Sequence, residues 1–157
     1  MKILIVFDSS TGNTEKMAHA VEDGVKRTNL DPVIKRVDEA SVDELPNYEG
    51  LILGSPVYYG LPSSKIKAFI DESVKLHGKL DGKAGGAFAS AGGTHTGAET
   101  TIMALNQALM IHGFVIQGTT GSNHYGAASV GSPDDRALET CRKLGERVAN
   151  LAKKLHS

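Results

Sequence analysis

Four hydroxyls, one glycine and one side-chain amide stand in a row at Ser9-Ser10-Thr11-Gly12-Asn13-Thr14, directly after the apolar run Ile3–Phe7 and directly before an amphipathic pattern. Placed there, their donors can turn inward on one anion, and the peptide N–H groups opening the following helix lack intrahelical partners and can join them. Neutral donors to a charged acceptor contribute about 1.5–3 kcal/mol each, so four or five of them hold a phosphate monoester with no cation inside the loop. The bland alternative is a hydroxyl-rich helix N-cap, for which Ser, Thr and Asn are also favoured. One cap, however, needs one hydroxyl.

Two further segments carry residues suited to a planar ligand. Ser55, Pro56, Val57, Tyr58, Tyr59 and Gly60 combine adjacent aromatic rings with turn-forming residues. Aromatic faces favour offset stacking on a heterocycle, although wet rim tyrosines would look the same. The other segment, Ser90, Ala91, Gly92 and Gly93 leading to His95 and Gly97, is small enough for the backbone to approach a ligand and read the polar edge of a flavin. A surface turn would show such glycines too. Neither G-x-G-x-x-G nor G-x-x-x-x-G-K-[ST] occurs, which disfavours a dedicated dinucleotide fold and a P-loop ATPase. A planar ligand with a phosphate tail, held by hydroxyls and flanked by tyrosines, describes flavin mononucleotide (FMN).

The elements that must position these loops alternate. Apolar runs at Ile3–Phe7, Val33–Val37, Leu51–Ser55, Ala84–Ser90 and Phe114–Gln117 read as strands of a parallel sheet covered on both faces. Helical spacing marks residues 13–28, 98–112 and 134–155, and a further helix carries Pro62 in its first turn with Ile66, Phe69, Ile70 and Val74 on one face. Asp38–Pro46 reads as a solvated connection. Lys35 and Arg36 make the second strand an edge, because a central strand would have to desolvate them. The expectation is an α/β three-layer sandwich, a five-stranded parallel sheet of order 2-1-3-4-5 with helices on both faces, as a single domain over 1–157. Its ligand site lies where the strand order reverses, at the carboxyl ends of strands one and three.

Composition narrows the function. With 157 residues and a net charge of −1, the chain lacks the basic excess of a protein that tracks nucleic acid. No apolar run reaches the length of a membrane span, and the expected location is cytoplasmic. Cys141, the only cysteine, excludes an internal disulfide and sits in a helical stripe as core filler. The histidines lack metal-ligand spacing, so no metal is expected. A phosphoryl-receiving domain would need clustered carboxylates after the first strand, where only Asp8 stands. Thr119–Pro133 is long for a connection, and such loops often serve function; His95, His124 and Tyr125 are candidates for a substrate rim. His112, before Gly113, suits either a helix cap or a proton donor beside a flavin.

Ser9-Ser10-Thr11-Gly12-Asn13-Thr14-Glu15 closely resembles the flavodoxin phosphate loop. Nearly the whole chain also resembles the NAD(P)H:quinone oxidoreductase branch of flavodoxin-like proteins, the tryptophan-repressor-binding proteins, through Gly54-Ser55-Pro56 with Gly60, Ser90–Gly97, Ile111-His112-Gly113-Phe114-Val115-Ile116 and Tyr125-Gly126-Ala127. That branch usually carries a Tyr-Gly-His type phosphate loop and often proline at the place of His124, and its chains are longer. The resemblance implies that Ser9–Thr14 hold the phosphate, that Pro56–Gly60 and Ser90–Gly93 hold the ring, and that His112 borders the open flavin face. It further implies passage of two electrons from NAD(P)H through FMN to a quinone, by a homo-oligomer (dimer or tetramer). The alternative is a flavodoxin-type electron carrier serving redox protein partners, which are usually met by a more acidic surface than this one.

Overall fold

Successive side chains of a strand point to opposite faces of a sheet, and β1 (Lys2–Phe7) uses both. Ile3, Ile5 and Phe7 enter one core, Leu4 and Val6 the other. The computed structural model describes residues 1–157. Against the first core pack α1 (Asn13–Lys26) and α4 (Asp135–Leu155), through Met17, Val21, Val25, Cys141, Leu144 and Val148. Against the second pack α2 (Ser64–Glu72) and α3 (Ala98–Ile111), through Ile66, Phe69, Ile102, Leu105 and Leu109.

The expected sheet order stands. With β2 (Asp31–Arg36), β3 (Gly50–Tyr58) and β5 (Ala84–Ala91), the parallel sheet runs β2-β1-β3-β5 and continues with β6 (Val115–Ile116). β2 pairs only with β1, and Lys35 at this edge reaches the Glu44 carboxylate at 2.7 Å. β5 is built almost wholly of small residues because its neighbours come close: a Cβ on Gly85 would lie 2.6 Å from Ile116 Cδ1, and one on Gly86 would lie 2.8 Å from Val148 Cγ2.

Four expectations need correction. The fifth sheet position is shared, since β6 pairs with Ala84 and Gly85 while β7 (Ala127–Val130) pairs with Phe88–Ala91. Part of the segment read as a long connection is therefore a strand, and its Ala-Ala-Ser-Val sequence is too weakly apolar to announce one. Pro62 is not in a helix; it lies in β4 (Leu61–Pro62), antiparallel to the end of β3, and Ser63 caps α2 by accepting the Ile66 N–H. Val74 is 70% exposed, because α2 tightens into a 3₁₀ turn at Ser73–Leu76 that rotates Leu76 inward instead. The 38–46 connection is solvated only on its acidic side. Val42, Leu45 and Tyr48 are buried beside a 3₁₀ turn capped reciprocally by Ser41 and Glu44.

Candidate functional site

The loop from β1 to α1 divides its hydroxyls between two tasks. Buried Ser9 is the internal cap: its Oγ accepts the N–H of Gly12 at 3.1 Å and of Glu15 at 3.3 Å. Gly12 turns the chain with φ +88°, a conformation that favours glycine. The N–H groups of Ser10, Thr11, Asn13 and Thr14 are taken by no acceptor of the protein. Those residues, with Pro56, Val57, Tyr58, Ser90, Ala91, Gly92 and Gly131, line an open cavity of about 280 Å³. Free N–H donors, neutral hydroxyls and a helix N-terminus gathered around one cavity suit a phosphate monoester. Arg36 supports the loop from behind, donating to the Ser9 carbonyl at 2.6 Å, lying 3.4 Å from the Glu15 carboxylate and 5.5 Å above the Phe7 ring.

The other two walls brace each other. Tyr59 (φ +51°) and Gly60 (φ +76°) make the tight turn from β3 to β4, leaving the Tyr59 ring fully exposed in a conformation that costs a bulky residue energy. Tyr58 shares a 2.7 Å hydrogen bond between its hydroxyl and Ser10 Oγ, tying this turn to the phosphate loop. Thr100 Oγ1 donates to the Gly60 carbonyl, and a Cβ on Gly97 would lie 2.6 Å from Gly60 Cα, so the segment after β5 packs tightly on the same turn. By contrast, a Cβ on Gly92 would meet no protein atom. That side of the backbone is open for a ligand edge, and the residues present fit FMN: a phosphate cradle, two exposed aromatic rings and an unobstructed backbone.

Not every candidate joins this cavity. Ser55 is fully buried, its hydroxyl donating to the Pro56 carbonyl and accepting the Ser63 N–H, and so it shapes the β3–β4 turn from within. Tyr59, Gly60 and Gly93 follow lining residues in the chain without lining the cavity themselves, and His95, at φ +58°, does not line it either. His124 and Tyr125 line a separate cavity of about 260 Å³ with Glu99, Asn123 and Gly126, beside the start of α3. His112 lies apart from this cavity. It follows the far end of α3, where Val115 pairs with the first residue of β5, and α3 spans about 21 Å from the rim. Within one chain His112 cannot border the flavin.

At that opposite end Ser73 Oγ donates to the Ile70 carbonyl at 2.6 Å, so the 2.8 Å contact with His112 Nε2 is an N–H donation from the imidazole. Nδ1 then carries a lone pair, buried among apolar residues with no partner. Burial first, and His77 second, pushes the His112 pKa down. Two residues at the β1–α1 loop and its cavity were not among the candidates read from the sequence. Arg36 was legible only as an edge marker, and Gly131 could have been found had β7 been recognised, since it follows that strand as Gly92 follows β5.

Known proteins agree with this geometry. The flavodoxin family model matches residues 5–145. An NAD(P)H dehydrogenase (quinone) of Archaeoglobus fulgidus is 35% identical, with 98% of each chain covered. The flavodoxin of Aquifex aeolicus is 40% identical over 94% of this chain and 85% of its own. Among solved structures, a WrbA-like flavodoxin from Agrobacterium tumefaciens superposes with a TM-score of 0.84 at 27% identity, covering 98% of both chains. With its sheet order, its hydroxyl loop and these matches, the chain belongs to the flavodoxin family.

Proposed function

We propose that this protein binds FMN at the cavity between Ser10–Thr14, Pro56–Tyr58 and Ser90–Gly92, and acts as an NAD(P)H:quinone oxidoreductase. The observation that carries the FMN assignment is the set of four loop N–H groups with no protein acceptor, in residues that line one cavity together with neutral hydroxyls. The enzyme assignment draws on the similarity to quinone-reducing dehydrogenases across nearly the whole chain. Bound FMN supplies the chemistry, accepting a hydride from a reduced nicotinamide and passing two electrons on. The protein's residues do the rest. Ser10, Thr11, Asn13 and Thr14 hold the phosphate, Tyr58 and Tyr59 flank the ring, and the open side of Gly92 admits its polar edge. His95, His124 and Tyr125 lie where an acceptor enters. The cytoplasm, which supplies reduced nicotinamide coenzymes, is the compartment this reading requires.

Fluorescence titration of the purified chain with FMN is the first test: saturable quenching supports the cofactor, and its absence ends the proposal. Anaerobic NAD(P)H should then bleach the visible flavin absorption, and a quinone should restore it within a turnover time of seconds or less. The 40% identity to the Aquifex flavodoxin favours one second reading, an electron carrier for protein partners. Under that reading NAD(P)H alone leaves the flavin oxidised, and a separate reductase is needed to bleach it.

A further inference from the structure

A second cavity, of about 380 Å³, lies between β7, the preceding segment and the start of α4, lined by Ser122, Asn123, Ser132, Arg136 and Thr140 among others. An opening of about 140 Å³ extends it along α4, sharing Ser122, Asn123 and Thr140 and adding Thr119, Lys143 and Arg147. Arg136, Thr140, Lys143 and Arg147 follow at intervals of four, three and four, which places them on one face of the helix.

The charges of this groove are not balanced within the protein. None of its three cations meets a carboxylate, whereas neighbouring Arg142 and Arg27 both pair with Glu139. Arg147 is partly buried, donates Nε to the Gln117 carbonyl at 2.9 Å and gives its other N–H groups to no protein acceptor. Burial accordingly pushes its pKa down, the mark of a desolvated cation without a counter-ion. The groove's one carboxylate, Asp134, is engaged as the cap of α4, accepting the Ala137 N–H at 2.7 Å. Hydroxyls and an amide fill the space between the cations. Val130 and Ser132 face this groove, while Gly131 between them faces the FMN cavity, so the two sites meet at one strand end.

We propose that this groove binds the adenosine half of the nicotinamide coenzyme, with the pyrophosphate at Arg136 and the 2′-phosphate of NADPH at Lys143 and Arg147. The inference rests on the oxidoreductase reading above and adds a coenzyme preference to it. Arg136 and Lys143 are seven residues apart, roughly 10 Å along a helix, a separation that one nucleoside bridges when it carries a phosphate on each side. Arginine beside the ribose is also the usual means of accepting a 2′-phosphate. Thr119, Ser122, Asn123 and Thr140 supply neutral partners for the ribose and base.

Calorimetric titration of the FMN-loaded protein with adenosine 2′,5′-bisphosphate and with ADP tests the groove without turnover. Lys143→Ala should weaken the bisphosphate at least ten-fold and leave ADP unchanged, whereas Arg136→Ala should weaken both. Neither change should alter FMN affinity. In steady state Lys143→Ala should raise the KM for NADPH by a similar factor and leave that for NADH as it was. Both side chains are exposed and the helix continues without them, so circular dichroism should match the parent. The proposal is overturned if the parent binds neither nucleotide, or if both variants bind them as the parent does. Nucleotide binding with these variant effects but no flavin reduction by either coenzyme would instead keep the groove and overturn the oxidoreductase reading.

Discussion

Ser9 and Ser10 are adjacent serines with opposite duties. Removing the Ser9 hydroxyl leaves the N–H groups of Gly12 and Glu15 without an acceptor inside the fold, so Ser9→Ala should lower the stability of the FMN-free protein by about 1–3 kcal/mol in urea denaturation. Ser10→Ala removes a hydroxyl that faces the cavity and Tyr58. It should leave that stability within about 0.5 kcal/mol and raise the FMN dissociation constant roughly 10- to 100-fold, the loss of one hydrogen bond to a charged group. Residue types alone could not separate the two, because the division depends on which hydroxyl turns back into the loop. Ser55 deceived in the same way: its neighbourhood is right, and its hydroxyl is spent on Ser63. His112 adds a pH dependence. Its folded pKa lies below the ordinary value, so as pH falls through about 6.5 the unfolded chain takes up the proton first. The stability contributed by the neutral ring is full above that value and is lost below it. Thermal melts at about pH 7.5 and about pH 5.5 should differ more for the parent than for His112→Gln, which keeps an N–H donor and cannot titrate.

Helices α1 and α4 meet backbone to backbone, and two glycines allow it. A Cβ on Gly145 would lie 2.2 Å from the Val21 carbonyl oxygen, and one on Gly24 would lie 2.0 Å from that of Arg142. No side chain can rotate away from such a clash, so Gly145→Ala should destabilise the protein by about 1–3 kcal/mol or more, read as a lower urea midpoint, even though alanine is the better helix former. These helices also show what periodicity makes visible. Residues 98–111 and 135–155 were legible to within a residue or two, because a long amphipathic face repeats its signal over several turns. Short elements offer no such repetition. β6 has two residues, β7 has four small ones, and both are strands only because the edge of β5 lies open to them. Pro62 fits a helix start and a short edge strand equally well by its own chemistry. Tertiary pairing with Val57 decided for the strand.

The molecule as a whole carries a net charge of −1, yet its two cavities treat anions in different ways. The cradle built from Ser10–Thr14 offers neutral donors, with Arg36 spent on the Ser9 carbonyl and on Glu15. The α4 groove offers Arg136, Lys143 and Arg147, none neutralised by a carboxylate. Mobile ions screen full charges far more than they screen fixed hydrogen-bond dipoles. Raising sodium chloride from about 0.05 M to about 0.5 M, which shortens the Debye length about three-fold, should therefore shift FMN affinity by less than two-fold. The same change should weaken adenosine 2′,5′-bisphosphate several-fold, and more strongly than ADP, because only the bisphosphate has a 2′-phosphate to meet Lys143 and Arg147. Parallel titrations of one preparation compare the two slopes directly. Equal slopes would mean that one electrostatic environment serves both ligands, against the division between a neutral cradle and a cationic groove; a steep slope for FMN alone would place a cation inside the phosphate loop.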